Sequence, residues 1–169
     1  MERLSRRQVL AATGTATLPL AGCVGFGGFG GTDERITVET LDVEGSPGGE
    51  MVVNPPETAV LLDFFATWCQ PCKPQMAELG EVGDRYPDLH MLSVSWEQDT
   101  EAIREFWAEY DGRWPVAQDT ELRVAEAYEI DGRLPTKIVL DVDGDEVWRD
   151  VGLSEADTIA EHVEEVLDP

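Results

Sequence analysis

The chain has 169 residues, with 12 Lys or Arg against 35 Asp or Glu and a formal net charge of −23 at pH 7. That length supports one domain with a full core plus an appendage. So acidic a surface repels nucleic-acid phosphates, which excludes a nucleic-acid role.

Taken from the start, Arg3, Arg6 and Arg7 make the first ten residues basic, and Val9 to Gly22 is an uncharged run rich in Ala, Thr, Gly and Leu. About 14 such residues are too few to span a bilayer core of roughly 30 Å as a helix, so the run reads as a targeting segment. Ser5-Arg6-Arg7-Gln8-Val9-Leu10 resembles a twin-arginine export signal. Leu20-Ala21-Gly22-Cys23 resembles a lipobox, in which Cys23 becomes the lipidated first residue of the mature protein. The expected division is an export signal over 1–22, a lipidated, Gly-rich tether over 23–35 and one domain over 36–169. Lipid on Cys23 also gives a fate to the odd member of three cysteines.

Ile36 to Leu41 and Glu50 to Val53 alternate like half-buried strands around the turn-rich Gly45 to Gly49, which predicts a hairpin. After Asn54-Pro55-Pro56, the apolar run Ala59 to Phe65 predicts a buried strand. A helix is expected from about Pro71 to Arg85, a strand over Leu89 to Trp96, and a helix over Thr100 to Tyr110 with Ile103, Phe106 and Trp107 on one face. A shorter helix follows over Asp119 to Tyr128, then a hairpin of Lys137 to Val142 and Glu146 to Val151 about Asp143-Gly144. Ser154, with Asp157 three residues on, predicts the cap of a last helix reaching about Leu167. Strands alternating with helices imply a parallel core, and the late hairpin adds an antiparallel edge. The acids are scattered over every predicted helix and only Lys73 and Lys137 are lysines. This is the pattern of halophilic proteins, whose carboxylate surfaces depend on strong salt for screening. An acidic docking face for a cationic partner is the competing reading.

The chemistry sits at Cys69-Gln70-Pro71-Cys72, where the buried strand turns into a helix. Residues three apart on a first helical turn lie close enough to bridge, and unpaired N–H groups at a helix start favour the thiolate that acts as nucleophile. The alternative use of two such thiols is half a zinc site. Zinc takes about four ligands, and only His90 and His162 remain as strong donors, each expected as an ordinary surface residue.

Phe64-Phe65-Ala66-Thr67-Trp68-Cys69-Gln70-Pro71-Cys72-Lys73, with Leu134-Pro135-Thr136 before a late strand, resembles the thioredoxin superfamily, nearest its membrane-anchored extracytoplasmic TlpA/ResA-type members. The resemblance covers roughly 36–167. It implies an α/β, thioredoxin-like fold: a central mixed sheet flanked by helices on both faces, with an N-terminal β-hairpin. It implies that Cys69, at the exposed helix start, attacks a substrate disulfide, that Cys72 resolves the mixed disulfide, and that the two form the Cys69–Cys72 disulfide. Pro135 corresponds to the family's cis-proline opposite the cysteines, leaving the Leu134 backbone free to pair with a substrate strand. Trp68 is expected to shield the site.

Asp63 lies six residues before Cys69 in an otherwise apolar strand. A carboxylate there is costly to bury, so its pKa should rise, which suits a base taking the Cys72 proton. Thioredoxins proper have an acid at this position, whereas the membrane-anchored relatives commonly have asparagine. Glu97 matches a glutamate found near the cysteines in the membrane-anchored group. Lys73 adds positive charge near the thiolates, and Pro74 comes earlier than the family's usual helix proline. The whole predicts a membrane-tethered, outward-facing monomer that reduces disulfides in protein substrates, as relatives do in cytochrome c maturation. Its electrons come from a membrane-embedded donor, and it needs no cofactor and no metal. A thiol peroxidase and a thiol-based metal chaperone are the alternatives. The peroxidase reading lacks the arginine that such chemistry keeps near its cysteine, since none occurs between Arg35 and Arg85.

Overall fold

The computed structural model describes residues 35–167. The export signal over 1–22, the lipidation at Cys23 and the tether up to residue 34 lie outside the described residues. No helix among the described residues is long and apolar enough to cross a membrane.

Among the described residues seven strands and four helices form, in chain order, β1 (Thr37–Val43), β2 (Ser46–Val52), β3 (Val60–Phe64), α1 (Cys72–Arg85), β4 (His90–Ser95), α2 (Thr100–Glu109), β5 (Val116–Gln118), α3 (Arg123–Ala127), β6 (Thr136–Leu140), β7 (Glu146–Val151) and α4 (Ala156–Leu167). One sheet holds all the strands in the order β2-β1-β5-β4-β3-β6-β7. β3, β4 and β5 run parallel, while β6-β7 on one side and β1-β2 on the other are antiparallel. The mixed sheet is thus the expected one, with one strand more.

β5 is that strand. It joins the N-terminal hairpin to the parallel core by pairing with β1 on one side and β4 on the other. The hairpin itself turns earlier than expected: Val43 pairs with Ser46, so Glu44 and Gly45 form a two-residue turn, and Pro47 to Gly49 lie within β2. Pro47 is tolerated because β2 is the edge of the sheet among the described residues, where a missing N–H breaks no ladder. Gly45 takes φ +75, and a Cβ there would meet the Arg113 carbonyl carbon at 2.0 Å, so only glycine fits.

Period-two alternation splits the core into two layers. Val60, Leu62 and Phe64 of β3, Leu92 and Val94 of β4, and Ile138 and Leu140 of β6 meet Val124 of α3 on one face. Leu61, Met91 and Val139 point the other way, into a cluster with Met76 and Leu79 of α1, Ile103 and Trp107 of α2, and Ile159 and Val163 of α4. Asp63, Ser93 and Lys137 share that second face by the same alternation and lie side by side in register. All three are buried.

Two helix ends differ from expectation. The helix predicted from Asp119 begins only at Arg123, because the Asp119 carboxylate accepts the Val124 and Ala125 N–H groups, each at 2.9 Å, from outside the helix. At α4, the Ser154 hydroxyl turns to Asp150 rather than capping the helix. Glu78 of α1 instead accepts the Ala156 N–H at 2.7 Å, which ties α4 to the helix that carries the cysteines.

Candidate active site

Cys69 and Cys72 form a disulfide with their Cα atoms 5.4 Å apart. α1 begins at Cys72 with Pro71 at its N-cap, a residue with no N–H and no capping side chain, and the first turn holds no acid. The orphan N–H of Cys72 therefore donates to the Cys69 sulfur, at 3.2 Å, instead of to a cap. In the reduced state the same N–H and the positive end of the helix stabilise a Cys69 thiolate. Pro74 leaves α1 unbroken over 14 residues, since a proline in the first turn removes no intrahelical bond. Cys69 is not exposed as expected. It is 4% exposed against 1% for Cys72, because the bridged sulfurs lie in the cluster beneath α1 with Phe65, Met76 and Trp107.

Asp63, the one acid in the otherwise apolar β3, is 3% exposed. Trp114 Nε1–H donates to Ser93 Oγ at 2.9 Å, and the Ser93 hydroxyl donates to Asp63 Oδ2 at 2.9 Å. The relay satisfies one oxygen and leaves Oδ1 buried with no partner among the described residues. Burial raises the Asp63 pKa from the usual 3.8 to about 6, a rise moderated by the Ser93 hydrogen bond and by attraction to Lys137. A carboxyl that titrates near neutrality with one free oxygen is suited to accept a proton.

The Leu134–Pro135 bond is cis. Thr136 follows at once and pairs with Phe64, which sets Pro135 beside the end of β3 that leads into the cysteine loop. The Pro135 carbonyl accepts the Gly152 N–H at 2.8 Å. Leu134 is half-buried and packs against both core clusters. Trp68 stands 63% exposed next to buried Cys69, so it offers an apolar face to solvent. One contributor is absent from the sequence-based expectations: Gln75, buried one turn along α1 from Cys72, grips the Ser154 backbone in both directions, accepting its N–H at 2.8 Å and donating to its carbonyl at 3.1 Å. Its place on the inner face of an amphipathic helix is the feature that could have singled it out.

Glu97 follows β4 and accepts the Thr67 N–H at 2.7 Å and the Thr67 hydroxyl at 2.8 Å, with Ser95 Oγ at 3.2 Å. The structure therefore brings Glu97 to the cysteine loop through Thr67, two residues before Cys69. Lys73 places its ammonium 5.9 Å over the Tyr110 ring. His90 and His162 are both half-buried rather than ordinary surface residues. Burial lowers the His90 pKa, and His162 stacks on Trp148 at 4.9 Å between centroids. Among the described residues no three His, Cys, Asp or Glu side chains are grouped to hold a metal ion.

The chain has similar proteins in both sequence and fold. The chain is 30% identical over 95 residues to the thiol-disulfide oxidoreductase ResA of Bacillus cereus, a match that covers 55% of this chain and 54% of that protein. It is 28% identical over 87 residues to ResA of Bacillus subtilis, covering 50% and 48%. The chain thus spans about half the length of the curated relatives it matches. In structure it resembles StoA from Bacillus subtilis, with a TM-score of 0.66 at 20% identity over 76% of this chain and 96% of that one. It also resembles the thioredoxin domain of a thiol-disulfide oxidoreductase from Bacteroides vulgatus, with a TM-score of 0.65 at 23% identity over 78% and 91%. The fold is thioredoxin-like, as the cysteine and proline motifs implied. The Redoxin family model matches residues 55–167, which run from the approach to β3 to the end of α4. With two cysteines bridged at the head of α1, a cis-proline before β6 and that match over most of its length, the chain belongs to the Redoxin family, among the TlpA/ResA-like members of the thioredoxin superfamily.

Proposed function

We propose that this chain is an extracytoplasmic thiol–disulfide oxidoreductase, tethered to the membrane by lipid on Cys23. It reduces disulfides in protein substrates with electrons from a membrane-embedded donor. The observation that carries the activity is the Cys72 N–H aimed at the Cys69 sulfur from an uncapped helix start. The matched relatives bear the name thiol-disulfide oxidoreductase, which supports the same activity here. The twin-arginine and lipobox patterns support an outward-facing, anchored position, and the TlpA/ResA resemblance supports a role like that in cytochrome c maturation. The net charge of −23 speaks against nucleic acid as a partner.

The Cys69 thiolate attacks one sulfur of the substrate disulfide, and the other substrate sulfur leaves as a thiolate. Asp63 Oδ1 takes the Cys72 proton, and the Cys72 thiolate attacks Cys69 Sγ. The Cys69–Cys72 bond forms, the second substrate sulfur leaves, and that thiolate takes up the proton. Two electrons pass from the dithiol to the substrate. Trp68 and Leu134 border the place where the substrate docks, and Pro135 holds the Leu134 backbone next to it. Glu97, through Thr67, positions the loop that delivers Cys69.

The test is turnover of insulin disulfides by the full chain with dithiothreitol as electron source, in molar salt, together with the reduction potential of the Cys69–Cys72 pair. Turnover is expected, with a potential near the reducing end of the fold's span, about −270 mV rather than about −120 mV. No turnover would remove the activity, and a potential at the oxidising end would reassign the protein to disulfide formation. In the same preparation Cys23→Ser should move the protein from the membrane to the soluble fraction. A variant that stays with the membrane would contradict the lipid tether.

A further inference from the structure

Lys137 is completely buried, on the sheet face that packs against α1 and α4. An ammonium is costly to bury unless it is paired and hydrogen-bonded, so its partners indicate its use. There are three. Asp63 lies directly across from it in the β3–β6 register and attracts it. Asp150 Oδ2 of β7 is 3.4 Å from Nζ. The Gly152 carbonyl accepts a hydrogen bond from Nζ. Gly152 in turn donates its N–H to the Pro135 carbonyl at 2.8 Å, and the same segment is held to α1 through Gln75 and the Ser154 backbone. Lys137 therefore stands between the buried carboxyl and the segment on which the cis-proline rests.

We propose that Lys137 is a positioning residue for the resolving step: its ammonium keeps the Asp63 carboxylate ready to take the Cys72 proton, and its bond to Gly152 fixes the segment behind Pro135. The proposal rests on the reading of Asp63 as the Cys72 proton acceptor. Around Asp63, β6 supplies Lys137, β7 supplies Asp150, and β4 supplies only the neutral Ser93. Among the buried residues of α1, Cys72 alone can titrate once reduced, and α4 buries none that can. Lys137 is thus the one cation in this group. It opposes the effect of burial on Asp63, so its removal must raise the pH at which Asp63 loses its proton.

Stopped-flow reaction of the reduced full chain with Ellman's reagent tests this. Attack by Cys69 and resolution by Cys72 each release one thionitrobenzoate, so the second phase isolates the resolving step. In Lys137→Met the midpoint of the second phase against pH should move up by about one unit, with a slowing of about tenfold below that midpoint. The first phase should stay within about twofold. In an Asp63→Asn background the same substitution should add no pH shift. Lys137→Gln keeps a donor for the Gly152 carbonyl but no charge, and should show the same pH shift, so the outcome does not depend on the Met variant folding. An unmoved midpoint in both Lys137 variants, or an equal shift in the Asp63→Asn background, overturns the proposal. If Asp63→Asn alone leaves the second phase as in the parent, the proton-acceptor reading falls and this one with it. If Asp63→Asn changes that phase while the Lys137 variants do not, only the Lys137 assignment falls.

Discussion

Cys69→Ser is expected to reduce disulfide reduction to background, while Cys72→Ser keeps the first attack and accumulates the substrate as a covalent adduct. The asymmetry follows from where α1 begins. The Cys72 N–H points at the Cys69 sulfur, no side chain caps the helix and no acid occupies its first turn. Nothing therefore competes with Cys69 for the helix's positive end, and a thiolate there is favoured by the same N–H that now reaches the bridged sulfur. Cys72 is the first residue of α1 itself, so its sulfur does not receive the helix-start N–H that points at Cys69. Without Cys69 there is no thiolate at the helix start to attack the substrate, and without Cys72 there is no internal thiol to release the mixed disulfide. Insulin reduction together with non-reducing electrophoresis checks both halves. Full activity in Cys69→Ser, or adducts that form equally in both variants, would refute the assignment of roles.

The second large effect is expected at Asp63, and it runs in opposite directions for activity and stability. Loss of a general base costs about 10²–10⁴-fold in rate, so Asp63→Asn should slow resolution by about 100-fold at pH 7. The deficit should shrink at high pH, where Cys72 ionises unaided. For stability the sign follows from proton binding. With its pKa raised from 3.8 to about 6, the folded chain holds the Asp63 proton more tightly than the unfolded chain does. Unfolding then releases a proton within that window, so stability falls as pH rises from 3.8 to about 6 and levels off above it. A shift of about two units corresponds to roughly 3 kcal/mol. Asp63→Asn removes that penalty and should stabilise the protein by up to about 3 kcal/mol at pH 7, with little gain below pH 4. Urea denaturation at the two pH values measures it. Equal midpoints for parent and variant at pH 7 would contradict a strained buried carboxyl.

What could be read in the sequence, and what could not, divides along physical lines. Long periodic elements were legible: α2 buries Ile103, Phe106 and Trp107 as their spacing requires, and β7 runs over the expected Glu146–Val151. β5 was not, because three residues after Trp114-Pro115 are too few to show an alternation, and its pairing with β1 and β4 depends on distant strands. The Ser154 cap failed for a related reason. A local rule selects the nearest hydroxyl, but Glu78, 78 residues away in the chain, supplies the acceptor. The cysteines stood out as a paired motif and the acid as a break in an apolar strand, whereas the cis-proline followed only from the family resemblance. The partners of that acid did not stand out. Ser93 and Lys137 meet Asp63 only through sheet register, and Trp114 reaches Ser93 only through folding of the loop before β5. Lys137 gave a strand-like pattern no hint that its ammonium would be buried, and Gln75 looked like any polar helix residue until α4 packed over it. Glu97 was singled out as a group near the sulfurs, and the structure joins it to their loop through Thr67.

In the proposed mechanism the head of α1 makes Cys69 the nucleophile of the redox pair. The most direct test is the rate of iodoacetamide alkylation of the reduced chain against pH, with the labelled cysteine mapped by mass spectrometry. The structure predicts labelling almost wholly at Cys69, with a half-maximal rate well below the pH of about 8.5 at which an ordinary thiol ionises. Equal labelling of Cys69 and Cys72, or a midpoint at the ordinary value, would contradict it.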